Sequence, residues 1–147
     1  MAEGVYLDLI HRNLESQHIK VRCLALECLG LTTMSDKKVF EEKLGVFMDQ
    51  IRGESTLKTK SDITVVCLKA ILDGVMIHGF LLESGNSQDL IRQDLRKLLM
   101  RLLRDSDYNV RLLATEGFCK LLICERMQNP WDFISRLIML YFEKSKS

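Results

Sequence analysis

Five cysteines, three histidines and a cluster of arginines are the side chains of this 147-residue sequence with the most chemistry to offer. Cys23 and Cys28 stand five residues apart, as do Cys119 and Cys124. On a helix that spacing is about 140° of rotation, so neither pair converges on one ion as a chelating pair must. With Cys67 the cysteines are odd in number and all fall on expected helices, which reads as reduced thiols packed in a core. His11, His18 and His78 are scattered, and His78 reads as a C-terminal cap or dipole partner near a helix end. No glycine loop suited to phosphate and no nucleophile motif occurs. The expectation is therefore no enzyme, with no catalytic residue, cofactor, metal or small-molecule substrate.

Positive charge is the one concentrated resource. Arg92, Arg96, Lys97, Arg101 and Arg104 share an expected helix with only Asp89 and Asp94. Lys97, Arg101 and Arg104 fall at i, i+4 and i+7, with Arg96 beside them, a stripe able to meet phosphates or an acidic partner segment. The bland alternative is a solvated outer face. Across the chain 21 Lys and Arg balance 20 Asp and Glu, so a net charge of +1 supplies no general attraction to nucleic acid or membrane.

The elements that carry these residues repeat. Val21 with Ala25, Val66 with Ala70 and Val110 with Ala114 recur inside apolar helical stripes at steps of 45 and 44 residues, a period of HEAT and armadillo arrays and too long for tetratricopeptide or ankyrin units. A hydrophobic share of 47% with a single proline suits an almost wholly helical chain. The amino terminus lacks a basic start and an unbroken apolar run, and no stretch nears the roughly 18 apolar residues of a membrane span, so an intracellular protein without membrane contact is expected.

Seven helices follow from the periodicity. The first runs from about Glu3 to Glu15, with Tyr6, Ile10 and Leu14 inward and Leu7 widening the stripe. The second starts near Ile19 and buries Val21, Leu24, Ala25, Cys28 and Leu29. Asp36 caps a third whose stripe is Phe40, Leu44, Phe47, Met48 and Ile51, ending near Arg52. A polar loop over 53–60 precedes a fourth, capped by Ser61 or Asp62 and reaching Gly79. Glu83 to Ser87 is the clearest break. The fifth spans about Gln88 to Arg104, with Ile91, Leu95, Leu98, Leu99, Leu102 and Leu103 apolar. The sixth follows Asp105 to Asp107 and buries Val110, Leu113, Ala114, Gly117, Phe118, Leu121 and Leu122. The seventh opens at Asn129–Pro130, with Asn129 as cap and Phe133, Ile134, Leu137, Ile138 and Tyr141 inward.

The expected fold is all-α, a single HEAT-type α-solenoid over 1–147 of about three helix pairs plus one extra helix: repeats at about 3–34, 36–80 and 88–126, and a terminal helix at 130–145. Second helices of each pair should line the surface on which an extended partner lies. The first and last helices are apolar over too much of their circumference for array ends, so a longer array or a partner at one end is expected. Asp105 and Arg111 have the six-residue spacing of the polar ladder that runs along such solenoids. Ser16 and Arg22 keep only the arginine, and Ser61 and Cys67 keep neither charge. The ladder residues Asp105, Arg111 and Arg22 read as structural.

Particular wording narrows this further. Val-Arg-Cys-Leu-Ala-Leu-Glu-Cys-Leu-Gly-Leu over 21–31, Asp36-Lys37, Leu44 to Phe47, Leu68-Lys-Ala-Ile-Leu-Asp-Gly74 and His78-Gly79 resemble the carboxy-terminal HEAT region of the condensin G subunit family, also called condensin complex subunit 3. The resemblance covers about residues 5–125. It implies a non-catalytic subunit of a mitotic chromosome-condensing complex, found in the nucleus or on chromosomes with the cytoplasm as a second compartment. It also implies a kleisin subunit and other condensin subunits as partners, and double-stranded DNA as a ligand of the longer array. No DNA-contact motif of the family is visible, so no such residue carries over. Two other readings stand beside it. A generic HEAT scaffold for another complex rests on the repeat alone. A HEAT-like DNA glycosylase needs a catalytic carboxylate and an aromatic-lined groove, and Trp131 is the only tryptophan.

Overall fold

The computed structural model describes residues 2–53, 57–79, 82, 90–127 and 129–145. Among them are seven α-helices and no strand: α1 Ala2–Asn13, α2 Ile19–Met34, α3 Lys37–Arg52, α4 Leu57–His78, α5 Leu90–Leu102, α6 Tyr108–Ile123 and α7 Trp131–Ser145. The fold is the expected all-α HEAT-type arrangement of helix pairs. The chain forms two compact units, Met1–Phe80 and Leu81–Ser147. The expected break from Glu83 to Ser87 and the expected start at Gln88 lie outside the described residues.

In the first unit α2 packs against α1, α3 and α4, and α3 against α4. The stripe expected on α3 is buried in full, Phe40, Leu44, Phe47, Met48 and Ile51, because its other faces are charged and leave one solution. On α2 the buried side turns. Ala25, Leu26, Leu29, Gly30 and Thr33 go inside, while Val21 and Leu24 face out, Leu24 at 60% exposure. That helix is apolar almost all round, so periodicity alone does not choose between its faces, and contact with three neighbours does. Ile10 of α1 and Leu14 in the turn after it are buried and Leu7 is half-buried, but Tyr6 is exposed.

One helix start has its expected cap, one has a cap that the sequence reading did not name, and two depart from expectation. Asp36 accepts the Lys38 N–H at 2.8 Å, and Asp107 caps α6 by accepting the Val110 N–H at 3.1 Å. α4, however, begins at Leu57, four residues before Ser61, which with Asp62 therefore stands inside the helix rather than capping it. Lysine and leucine carry the helix backwards into the segment that polar composition marks as loop; of that segment, 54–56 lie outside the described residues. At α7 the Pro130 carbonyl accepts the Ile134 N–H at 2.9 Å, so proline holds the capping position. Asn129 instead takes left-handed backbone, φ 46°.

α4 is fastened to its neighbours at one-turn intervals. A Cβ on Gly30 of α2 would stand 3.1 Å from that of Ala70. One turn on, a Cβ on Gly74 would lie 2.1 Å from the Phe40 ring of α3, so only glycine admits that ring. Another turn on, the His78 ring lies 5.4 Å from the Phe40 ring, and its Nε2–H donates to the Thr33 carbonyl at 2.7 Å. His78 thus closes a carbonyl near the end of α2 rather than of its own helix. Gly79 then ends α4 with φ 63°. Every residue of the Ala70, Gly74, His78 series belongs to the wording quoted above, and each one packs.

In the second unit α5 packs on α6, with Leu95, Leu98, Leu99, Leu102 and Leu103 buried as expected and Ile91 at the edge. α7 joins through Phe133, whose ring is 4.7 Å from that of Phe118 on α6. Ile138 and Tyr141, expected inside, face out, and Tyr141 is 71% exposed. Ile134, Leu137 and Leu140 are half-buried, whereas Ile138, Met139, Tyr141 and Phe142 keep an exposed apolar surface. Leu82 N–H donates to the Arg126 carbonyl at 2.8 Å.

Candidate interaction surface

The five cations of the expected stripe do not share one surface. Lys97, Arg101 and Arg104 are exposed and keep their i, i+4, i+7 alignment along α5 and the turn after it. Arg92 is half-buried. Arg96 leaves the stripe altogether, at 8% exposure. Its Nη2 donates to the Asn129 carbonyl at 2.8 Å and to Asp132 Oδ1 at 2.7 Å, and its guanidinium lies 4.8 Å from the Phe133 ring centre. The helix wheel carries the reason: Arg96 stands three residues before Leu99 and seven before Leu103, inside the apolar stripe, whereas Lys97 lies beside it. A buried guanidinium needs acceptors, and the left-handed Asn129 carbonyl and Asp132 supply them.

The ladder arginines also find partners other than a turn carboxylate. Arg111 Nη1 donates to the carbonyl oxygens of Asp105 at 2.6 Å and Ser106 at 3.0 Å, while the Asp105 carboxylate accepts the Asp107 N–H at 2.9 Å. Arg22 donates through Nε at 2.9 Å and Nη2 at 2.6 Å to Gln50 Oε1 on α3, and Gln50 passes its own N–H to Glu15 Oε1 at 3.3 Å. These contacts tie turns and neighbouring helices together. Gln50 is buried, a polar residue hidden in the sequence between Met48 and Ile51.

The thiols divide by burial. Cys67 is buried, and loss of solvent, then the nearby Cys23, push it up to about 12, with Arg22 acting the other way. Cys23 is raised by burial, then by Asp62 and Glu27. Cys119, by contrast, is exposed on α6, and Cys23, Cys28 and Cys124 are half-buried, so the set is not uniformly core. All five are free, and among the described residues no group of three His, Cys, Asp or Glu could hold a metal. No described helix is long and apolar enough to cross a membrane.

A pH dependence follows for Cys67. Unfolded, the thiol ionises near its ordinary 9.0; folded, it keeps its proton to about 12. Between these the unfolded state binds fewer protons, so stability is fully present below about pH 9 and falls as pH rises toward 12. Urea melts of the native chain and of Cys67→Ala between pH 8 and 10.5 check this: the native midpoint falls more steeply. Mass spectrometry after brief alkylation at pH 8 should find Cys119 labelled first and Cys67 last.

Two apolar grooves adjoin these residues, each within one unit. One of about 340 Å³ lies between α6 and α7, lined by Leu103, Tyr108, Leu112, Leu137, Leu140 and Tyr141 with Arg111 at its edge. The other, about 480 Å³, lies between α2 and α4 and has Glu27, Lys69 and Asp73 among its lining residues. Sequence periodicity missed both, since it assigns Leu112 and Leu31 no partner; exposed leucines flanking a buried stripe were the available signal.

No curated protein and no solved structure matches the chain. One family profile does, the C-terminal domain of nuclear condensing complex subunits, and it matches residues 1–147. With its quoted wording placed on a packed helical-repeat scaffold, and on this match over residues 1–147, the chain belongs to the family of nuclear condensing complex subunits.

Proposed function

We propose that this condensin-family chain is a non-catalytic scaffold acting in mitotic chromosome condensation, that it docks on the kleisin subunit of its complex, and that Lys97, Arg101 and Arg104 touch the backbone of duplex DNA. The observation that carries the reading is the family match over residues 1–147. The exposed alignment of the three cations on α5 supports the DNA part, since phosphate contacts need charge on a free surface and no base-reading geometry.

Kleisin docking is tested by co-purification of the whole chain with overlapping kleisin segments. One segment is expected to remain bound; failure of every segment, with the helical circular dichroism spectrum intact, ends this part of the reading. For DNA, the triple variant Lys97→Glu, Arg101→Glu, Arg104→Glu is expected to weaken duplex binding and to lower the slope of log affinity against log salt by about 2 to 3. Arg96 is left out of that variant because its loss acts through the fold. An unchanged slope makes α5 a solvated face.

A further inference from the structure

In the first unit α4 packs on both α2 and α3, and its contacts fix its direction. Gly30 of α2 faces Ala70, and further along both helices the Thr33 carbonyl meets His78, so α4 runs parallel to α2. Phe40, near the start of α3, meets Gly74 and His78 late in α4, so the same helix runs antiparallel to α3. Cys23 of α2 also acts on Cys67 of α4.

The groove between α6 and α7 repeats that register. The step of 89 residues from Val21 to Val110 carries Cys23 to Leu112 and Gly30 to Cys119, and both line the groove. On the opposite wall, the step of 93 residues from Phe40 to Phe133 carries Leu44, Phe47 and Met48 to Leu137, Leu140 and Tyr141, which line it too. On α3 those three side chains are buried. On α7 Leu137 and Leu140 are half-buried and Tyr141 is exposed. The second unit thus presents the surface that α4 covers in the first, and among the described residues no eighth helix covers it.

We propose that the groove between α6 and α7 receives an amphipathic helix of a partner protein, seated parallel to α6 and antiparallel to α7 as α4 is seated on α2 and α3. The register sets the chemistry of that helix. Aliphatic residues at i, i+3 or i+4, and i+7 cover Leu112, Leu137 and Tyr141, and their burial provides the attraction. A glycine or alanine is needed where the helix passes Cys119, because even with glycine at the matching position of α2, a Cβ there would stand only 3.1 Å from Ala70. An extended segment lying along the second helices makes no use of α7, whereas this occupant requires it. The kleisin reading is not needed either: the occupant is specified by its helical pattern, and a kleisin that failed to bind leaves the test unchanged.

The test is fluorescence anisotropy on the whole chain with a labelled helical peptide that keeps the inward residues of α4, Ile63, Ala70, Ile71, Gly74 and Val75, at their spacing and is polar elsewhere. A second peptide has the same composition in scrambled order. The patterned peptide is expected to bind and to suppress alkylation of Cys119, which lies in the groove and is exposed, while labelling of Cys28 in the first unit continues; the scrambled peptide does neither. Leu112→Glu and Tyr141→Glu are each expected to weaken binding roughly tenfold or more, and Leu31→Glu, in the first unit, to leave it unchanged. All three positions are exposed, and a preserved helical spectrum verifies each variant. A photo-crosslinker at the carboxy end of the peptide should label the last turn of α6; labelling at Tyr108 instead overturns the orientation. The proposal falls if the two peptides bind alike, or if Leu31→Glu weakens binding as much as Tyr141→Glu. It also falls if sedimentation finds a dimer that Tyr141→Glu splits, since the groove then belongs to a second copy of the chain.

Discussion

Arg96→Glu is expected to cost the second unit about 3 kcal/mol, the largest effect of any single charge change on α5. The substitution removes the donor to the Asn129 carbonyl and to Asp132 and puts a carboxylate beside two acceptors in a site with 8% exposure. The figure sits at the low end for a broken buried pair because Asp132 is 54% exposed and water takes over part of its solvation. Arg101→Glu, on the exposed face of the same helix, should stay within about 0.5 kcal/mol. Hydrogen exchange read by mass spectrometry separates the two: Arg96→Glu loses protection in α5 and at the start of α7, Arg101→Glu in neither. Equal protection in the two variants would return Arg96 to the solvated stripe. The contrast guards the DNA test, since a variant that includes Arg96 loses binding for reasons of folding.

Gly74→Ala should destabilise the first unit by about 2 kcal/mol. Alanine favours a helix by about 1 kcal/mol over glycine, so the substitution would be stabilising on an open face. Here the new methyl meets three atoms of the Phe40 ring within 2.7 Å, and Phe40 is wholly buried, with the His78 ring of the same helix 5.4 Å away. Ring and helix must part, at a cost of about 3 kcal/mol or more. For a unit of this size the melting temperature falls by roughly 10 °C. Gly74→Ala combined with Phe40→Leu should lose much less than the two single losses summed, because the smaller side chain vacates the contested space. Strict additivity in that cycle would mean that the two residues do not meet.

How much the sequence discloses depends on how one-sided each helix is. α3 has charged faces opposite its apolar stripe, and its five expected core residues are all buried. α2 is apolar nearly all round, so its period gives a helix without a direction, and Leu24 and Leu26 exchange places between core and surface. On α5 the aliphatic stripe is legible, and so, from the spacing to Leu99 and Leu103, is the inward position of Arg96. Counting the cations as one stripe obscures it, because charge is additive along a sequence and not around a helix. What no pattern within one helix holds is the identity of a distant partner. Gly74 and Phe40 are 34 residues apart, as Arg96 and Asn129 are 33, and only the packed chain brings them together. The grooves were hidden for the same reason, being shaped by two helices at once.

The way α5 and α6 hold the start of α7 bears on how the second unit responds to force. Arg96 holds Asp132, and Phe118 holds Phe133, so a polar and an apolar anchor sit on consecutive residues at one end of a helix that extends to Ser145. Tension transmitted along α7 reaches both anchors in the same instant. Its later turns, with Tyr141 in solvent, can bend or unwind under small strain, whereas the root yields only when a guanidinium and a ring come out together. The second unit thus joins a sparsely covered arm to a firm footing.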